Sequence, residues 1–359
     1  MEGLKLTSYV GERRRAGRDL AGNTLLDLYA TAQIAASIQL RGTQGFGLGQ
    51  QLRTDRSLAL TEDLPLVTVA VDAGPRIEAV LEQTLAMTTP GLVTLEPVCL
   101  LDGDDSLARL GTGPPGLPGP AGPPGASEDE VTLTVHLSRH EQAYQIPAYE
   151  AICDLLYRRC VAGATALLGV DGTARGRRQR ARFLSRQAGA PMVVIAVGSR
   201  DQIMSVLPDV SGLLRDPLLT LEPVRVCKRD GLILSLPGQP PEAGEHGTAR
   251  WQKLTVYTSQ AARHDGQPVH RVLARRLLAA GLGGVTTLRG VWGFQGEHAP
   301  HGDSALHLGQ HVPAVTTVLD TPERIPAAFA IIDELTAERG LVTSGPVPAL
   351  RTPAPGQTV

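Results

Sequence analysis

Three short glycine turns hold the residues best placed to do chemistry. Gly42 and Gly45, Gly169 and Gly172, and Gly290 and Gly293 share a Gly-x-x-Gly spacing. Glycines in such a turn let backbone N–H groups come close to an anion, which is how short loops hold phosphate. Arg41 and Arg289 stand directly before two of the turns and can contact phosphate. Phe46 and Phe294 directly follow the second glycine and can stack on a base, with Gly47 next to Phe46. The same residues also read as a tight strand exit whose phenylalanine plugs a core, and the turn alone does not choose. Leu168 replaces the arginine at the middle turn, so that site is expected to have diverged.

Charged clusters follow the turns. The first is succeeded by Arg53 and Arg56. The second is succeeded by Arg175, Arg177, Arg178, Arg180, Arg182 and Arg186, six arginines in twelve positions. That density suits an acidic partner face, phospholipid headgroups or nucleic acid, or else a solvated loop in an arginine-rich chain. Only Phe183 interleaves them, which argues against specific single-strand nucleic-acid binding. The third turn leads to His298, His301, His307 and His311, with Glu297 and Asp303 among them. Such spacing holds a transition metal on an ordered scaffold. Gly296, Pro300 and Gly302 mark a loop instead, so surface histidines are expected and no metal site is assigned. There is no nucleophile elbow, Walker A pattern, H-E-x-x-H or dinucleotide fingerprint. No general base stands near the histidines, and a non-enzymatic protein is expected, with a metal-dependent hydrolase as the third reading.

The elements that must position these residues occur three times. An alternating strand, a helix, the glycine turn, a loop, a strand after proline, a second helix and a closing strand recur at a period of about 120 residues. That is far too long for a solenoid unit and right for a whole domain. Leu6, Leu133 and Leu254 share one place in the first strand; Pro65, Pro191 and Pro313 precede the third apolar run; Ile77, Ile203 and Ile325 start the second helix. The closing strands read LVTLEPV, LLTLEPV and LVTSGPV. Val131, Leu133, Val135 and Leu137 alternate with Thr132, Thr134 and His136, which predicts a sheet with one buried and one wetter face. Residues 192–197 are apolar throughout, as a central strand covered on both faces is. The order predicts an α+β, ferredoxin-like (βαββαβ) domain with two helices on one face of four antiparallel strands.

A chain of 359 residues, 42% apolar and 3% aromatic, supports two or three domains packed with Leu, Val, Ile and Ala. A formal charge of −2 does not suit a chain-wide nucleic-acid binder. The segment MEGLKLTSYVGERRR has no apolar h-region, and no apolar run approaches the ~18 residues of a membrane span. Cys99, Cys153, Cys160 and Cys227 form no C-x-x-C pair; Cys153 and Cys160 are expected as buried thiols on a helix. A cytoplasmic, soluble protein is expected. The collagen-like run GTGPPGLPGPAGPPG at 111–125 reads as a stiff polyproline II-like spacer. A second linker carries Pro237, Pro240 and Pro241, and a short tail after Pro348 is expected to be disordered.

The motifs RGTQGFG (41–47), TEDLP (61–65) and GLVTLEPV (91–98), echoed by LRGVWGF (288–294) and LLGVDG (167–172), resemble the domain of unknown function 190. That family is similar in fold to the PII signal-transduction proteins. Those are homotrimers that bind adenine nucleotides between subunits and control a transporter or enzyme through a long loop. The family is often encoded beside putative fluoride channels. The resemblance implies PII-like domains at 1–110, 130–230 and 251–350, linkers at 111–129 and 231–250, and a disordered tail at 351–359. With the repeat count it implies an intramolecular pseudo-trimer that is monomeric in solution. It further implies a regulatory protein, without cofactor, that binds a nucleotide or small anionic metabolite at Arg41, Gly42, Gly45, Phe46, Gly47, Gly169, Gly172, Arg289, Gly290, Gly293 and Phe294. A membrane transporter would dock on the loops through Arg53, Arg56, Arg175, Arg177, Arg178, Arg180 and Arg182. A ligand-free adaptor docked on such a transporter is the alternative, favoured by the missing Gly-Phe of the middle turn.

Overall fold

The computed structural model describes residues 1–47, 49–55, 63–103, 130–180, 189–238, 249–296, 298–302, 312–337 and 339–352. The first repeat runs β1 (Glu2–Gly11), α1 (Ala21–Thr31), β2 (Ala36–Arg41), β3 (Gln44–Phe46), β4 (Pro65–Ala73), α2 (Gly74–Thr88) and β5 (Gly91–Asp102). The second runs β6 (Glu130–Ser138), α3 (Ala148–Arg158), β7 (Gly163–Leu168), β8 (Asp171–Ala174), β9 (Arg177–Arg180), β10 (Pro191–Ser199), α4 (Arg200–Gly212), β11 (Leu218–Pro223) and β12 (Arg225–Arg229). The third runs β13 (Ala249–Ser259), α5 (Val269–Ala279), β14 (Gly284–Arg289), β15 (Trp292–Gln295), β16 (Pro313–Asp320), α6 (Ile325–Leu335) and β17 (Leu341–Thr352). The protein is thus mixed α/β, with a mostly antiparallel main sheet and, among the described residues, six helices. None of these helices is long and apolar enough to cross a membrane.

Each first strand is central in its repeat. β1 pairs with β4 on one side (Leu6 opposite Ala70) and with β5 on the other (Leu6 opposite Leu95), and β2 lies outside β4 (Ile38 opposite Val69). β6, β10, β11 and β7 repeat that order, as do β13, β16, β17 and β14. Strand alternation sends Leu6, Leu133 and Leu254 under the helices, where all three are fully buried. There they meet Leu25 and Ile77, Ile152 and Ile203, and Leu273 and Ile325, one core per repeat. Each such side chain contributes about 1.5–3 kcal/mol. The other sheet faces converge: Leu40, Leu167 and Leu288 pack with Val67, Val193 and Val315 in one cluster drawn from all three repeats.

Every junction between repeats carries two strand seams. The strand after each glycine turn pairs with a neighbour's second strand: β3 with β14, β15 with β7, and β8 with β2. The closing strands pair in the opposite sense around the ring. The end of β5 pairs with β11, β12 continues the second repeat onto β17, and the end of β17 returns to β5.

Two expectations change. The closing strand runs past Pro348 to Thr352, opposite Gly91, so residues 351 and 352 belong to the sheet rather than to a tail; residues 353–359 lie outside the described residues, as does the run at 111–125. Cys153 is buried, but Cys160 is exposed. α3 ends at Arg158, and Cys160 takes a left-handed φ of 55° that turns it away from the core.

Candidate functional site

The glycine turns lie on the seams. The N–H groups of Gly42, Gly169 and Gly290 donate to the carbonyl oxygens of Pro65, Pro191 and Pro313 at 2.7, 2.8 and 2.8 Å. The next residues, Thr43, Val170 and Val291, donate across the seam to Thr287, Gln39 and Ala166 at 2.9, 2.8 and 2.9 Å. These donors are spent on protein carbonyls, so the backbone anion cradle expected at the turns gives way to a strand junction. The second glycine has a steric reason. A Cβ on Gly45, Gly172 or Gly293 would lie 2.3, 2.4 or 2.2 Å from the carbonyl oxygen of Val285, Ser37 or Ala164 in the neighbouring repeat.

Phe46 and Phe294 plug cores, and the cores are the neighbours'. Phe46 joins Leu273 and Phe329 of the third repeat. Phe294 joins Ile152 of the second and meets Tyr157 edge-on, centroids 5.4 Å apart at 74°. With 5% and 2% exposure, neither offers a face to a base. The middle turn supplies Thr173 instead, whose Oγ1 lies 2.7 Å from Ser37 Oγ. The first repeat carries Tyr29 where the others carry Leu156 and Leu277. Its hydroxyl meets Thr84 Oγ1 at 3.2 Å.

The arginines divide by what they touch. Arg41 Nε donates to Glu12 at 2.9 Å. Arg289 lines a polar cleft with Gln260, Asp55 and Arg271. Arg178 reaches Asp27 and Asn23 on α1, and its own Asp171 at 2.9 Å. Arg175 pairs with Asp102 of β5 at 2.6 Å and with Asp216 at 2.7 Å. Arg175 and Arg178 therefore clamp the second repeat onto the first, which corrects their expected place in a partner-docking loop. Arg177 is exposed, and Arg180 ends β9. Arg56, Arg182, Arg186, His307 and His311 lie outside the described residues.

Two junctions open into lateral clefts. Between the first and third repeats, about 280 Å³ is lined by Arg53, Asp63, Gly47 and Trp251. Between the second and third, about 530 Å³ is lined by Asp230, Gln295, His298, His301 and Arg339. The two share a plan: Arg53 pairs in register with Gly45, and His301 with Gly293, whereas Gln179 faces Gly172. In the larger cleft Arg339 Nη1 lies 3.5 Å from His298 Nε2. His301 Nδ1 lies 2.8 Å from the Ala299 carbonyl oxygen. Sequence reasoning missed Arg339 and Asp230, which stand on short turns with no motif around them. Among the described residues, no group of three or more His, Cys, Asp or Glu is placed to hold a metal. Burial pushes the Cys153 thiol well up, so it is no nucleophile.

A mutant of the ferredoxin protease FusC in complex with Arabidopsis ferredoxin is similar at 8% identity, over 94% of this chain and 62% of that one, with a TM-score of 0.18. The chain spans less than two thirds of that protein, and a likeness so slight carries no argument. The family model DUF190, described as an uncharacterized ACR, matches residues 3–100, 130–226 and 251–349. Those stretches coincide with the three structural repeats, and the chain belongs to the DUF190 family, which it carries in three tandem copies.

Proposed function

We propose that this chain is a non-enzymatic, PII-like regulatory protein. Its three ferredoxin-like domains form an intramolecular pseudo-trimer. A small anionic ligand, foremost an adenine nucleotide, binds the cleft between the second and third repeats. The loops then act on a membrane transporter, a fluoride channel being the first candidate. One observation carries the ligand reading: that cleft sets Arg339, His298 and His301 of the third repeat around about 530 Å³ beside β7 of the second. A guanidinium suits phosphate oxygens, and the volume suits a drug-sized molecule. Phosphate recognition then rests on side chains rather than on the glycine turns. A ligand-free adaptor is the second reading, favoured by the engagement of the turn N–H groups with protein carbonyls.

Thermal unfolding with ATP, ADP, AMP and cyclic nucleotides tests the first reading. A ligand at a hundredfold its Kd adds about 2.7 kcal/mol, a shift of a few degrees. Arg339→Ala should abolish the shift while leaving the unliganded melting temperature in place. No shift with any nucleotide favours the adaptor, and pull-down with transporter loops becomes its test.

A further inference from the structure

At the centre of the ring lies a chamber of about 310 Å³, walled by all three repeats. Its inner end is apolar, built from Leu40, Leu167, Leu288 and their valine neighbours. Its outer end is a rim of charge. Lys5, Thr132 and Lys253 hold one place in β1, β6 and β13, directly opposite Glu96, Glu222 and Gly345 in β5, β11 and β17. Each rim lysine bonds the glutamate of the next repeat: Lys5 bonds Glu222, and Lys253 bonds Glu96. The third pair, between the second and third repeats, has lost both members, to Thr132 and Gly345. Losing one alone would strand a buried charge. Losing both keeps two ammonium and two carboxylate groups in balance.

What the double loss leaves is a gap in the rim. A Cβ on Gly345 would meet nothing within 4 Å, and Pro346 beside it is exposed. The same wall carries another departure of the chamber from three-fold likeness. Tyr9, His136 and Tyr257 share one register position, opposite Leu92, Leu218 and Leu341. His136 lies on the same face of β6 as Thr132. Its Nε2, like Thr220 Oγ1 on the adjacent strand, is buried and has no hydrogen-bond partner among the described residues. Burial and, secondarily, the Lys5 ammonium push the imidazole down to about 4, so it is neutral at pH 7. A neutral hydrogen-bonding group, a charge-balanced rim and apolar walls exclude an ionic guest. A dry cavity of ~150 Å³ takes benzene, so this chamber has room for a single ring with a hydroxyl group and some water.

We propose that the chamber binds a small uncharged molecule with an apolar body and one hydroxyl group, which enters beside Gly345 and hydrogen-bonds His136. The proposal does not depend on the lateral clefts. The test is a fluorine NMR titration of the full chain with 4-fluorophenol. Wild type should show a saturable shift, and His136→Phe should weaken it at least tenfold. The double variant Thr132→Lys/Gly345→Glu restores the third ion pair across the gap. It should slow exchange of the probe at least tenfold, while its melting temperature shows it folded. No saturable binding to wild type, or binding that neither variant alters, overturns the proposal. Exchange unchanged in the double variant, with binding still lost in His136→Phe, overturns the entry route.

Discussion

Gly293 and Gly47 make opposite demands on the same kind of residue. A Cβ on Gly293 would press on Ala164 O at 2.2 Å, and its φ of 151° is one that side chains rarely adopt. A Cβ on Gly47 would meet nothing within 4 Å. Gly293→Ala should therefore cost about 1–3 kcal/mol in urea unfolding, and Gly47→Ala less than ~0.5 kcal/mol. Equal midpoints for the two variants would contradict the seam. The Gly-x-x-Gly spacing was legible in the sequence, but its purpose was not, because the carbonyl that each glycine meets belongs to another repeat. His136 makes a second prediction at this scale. The imidazole titrates near 6.5 when unfolded and at about 4 when folded, so the unfolded chain binds more protons between these values. The stability tied to its burial is complete above pH 6.5 and is lost as pH falls toward 4, at up to about 1.4 kcal/mol per unit. Burial alone would raise the Glu96 carboxyl, but Lys253 and Lys5 bring it below the ordinary carboxylate range. Its contribution is therefore present above its unfolded value of about 4.3 and is lost as pH falls further. Denaturant midpoints between pH 7 and 4 should fall in wild type and flatten over that span in His136→Phe.

Among the elements, the strands after the glycine turns act as plugs. Phe46 and Phe294 each fill a neighbour's core, so truncating either to alanine should cost about 3–5 kcal/mol and loosen a junction rather than its own domain. Hydrogen exchange checks the location: in Phe294→Ala the lost protection should centre on α3 and β7. Thr173→Phe should be destabilising alone and milder with Tyr29→Leu, since Tyr29 supplies in the first repeat the bulk that a phenylalanine brings to the others. Double-mutant unfolding measures that coupling. The order of strands and helices was readable because each alternates or turns with its own period. The seams were not, since pairing between strands of different repeats leaves no local pattern. The arginine hairpin shows the same limit. Its density suggested a solvated or docking loop, yet Arg178 and Arg175 find Asp27 and Asp102 far away in sequence.

At the scale of the whole molecule, the two sets of seams run in opposite senses around the ring, so each repeat grips both others. Light scattering should give a mass near 37.9 kDa, and a stable three-chain particle would sink the internal trimer. Proteolysis within 111–125 should leave the two fragments comigrating in gel filtration, because the junction between the first two repeats keeps both its seams without the linker. Three copies were countable from the sequence, and a pseudo-trimer was expected from the resemblance; the strand that closes it was not, because a tail was expected after Pro348. The pairing of residues 349–352 with Gly91–Thr94 binds the last copy to the first by the same means as chain neighbours. Covalent succession is then one of three equivalent ways to thread the ring. A circular permutant opened at 111–125 and sealed from Val359 to Met1 would read second, third, first, and it should refold to the same melting temperature.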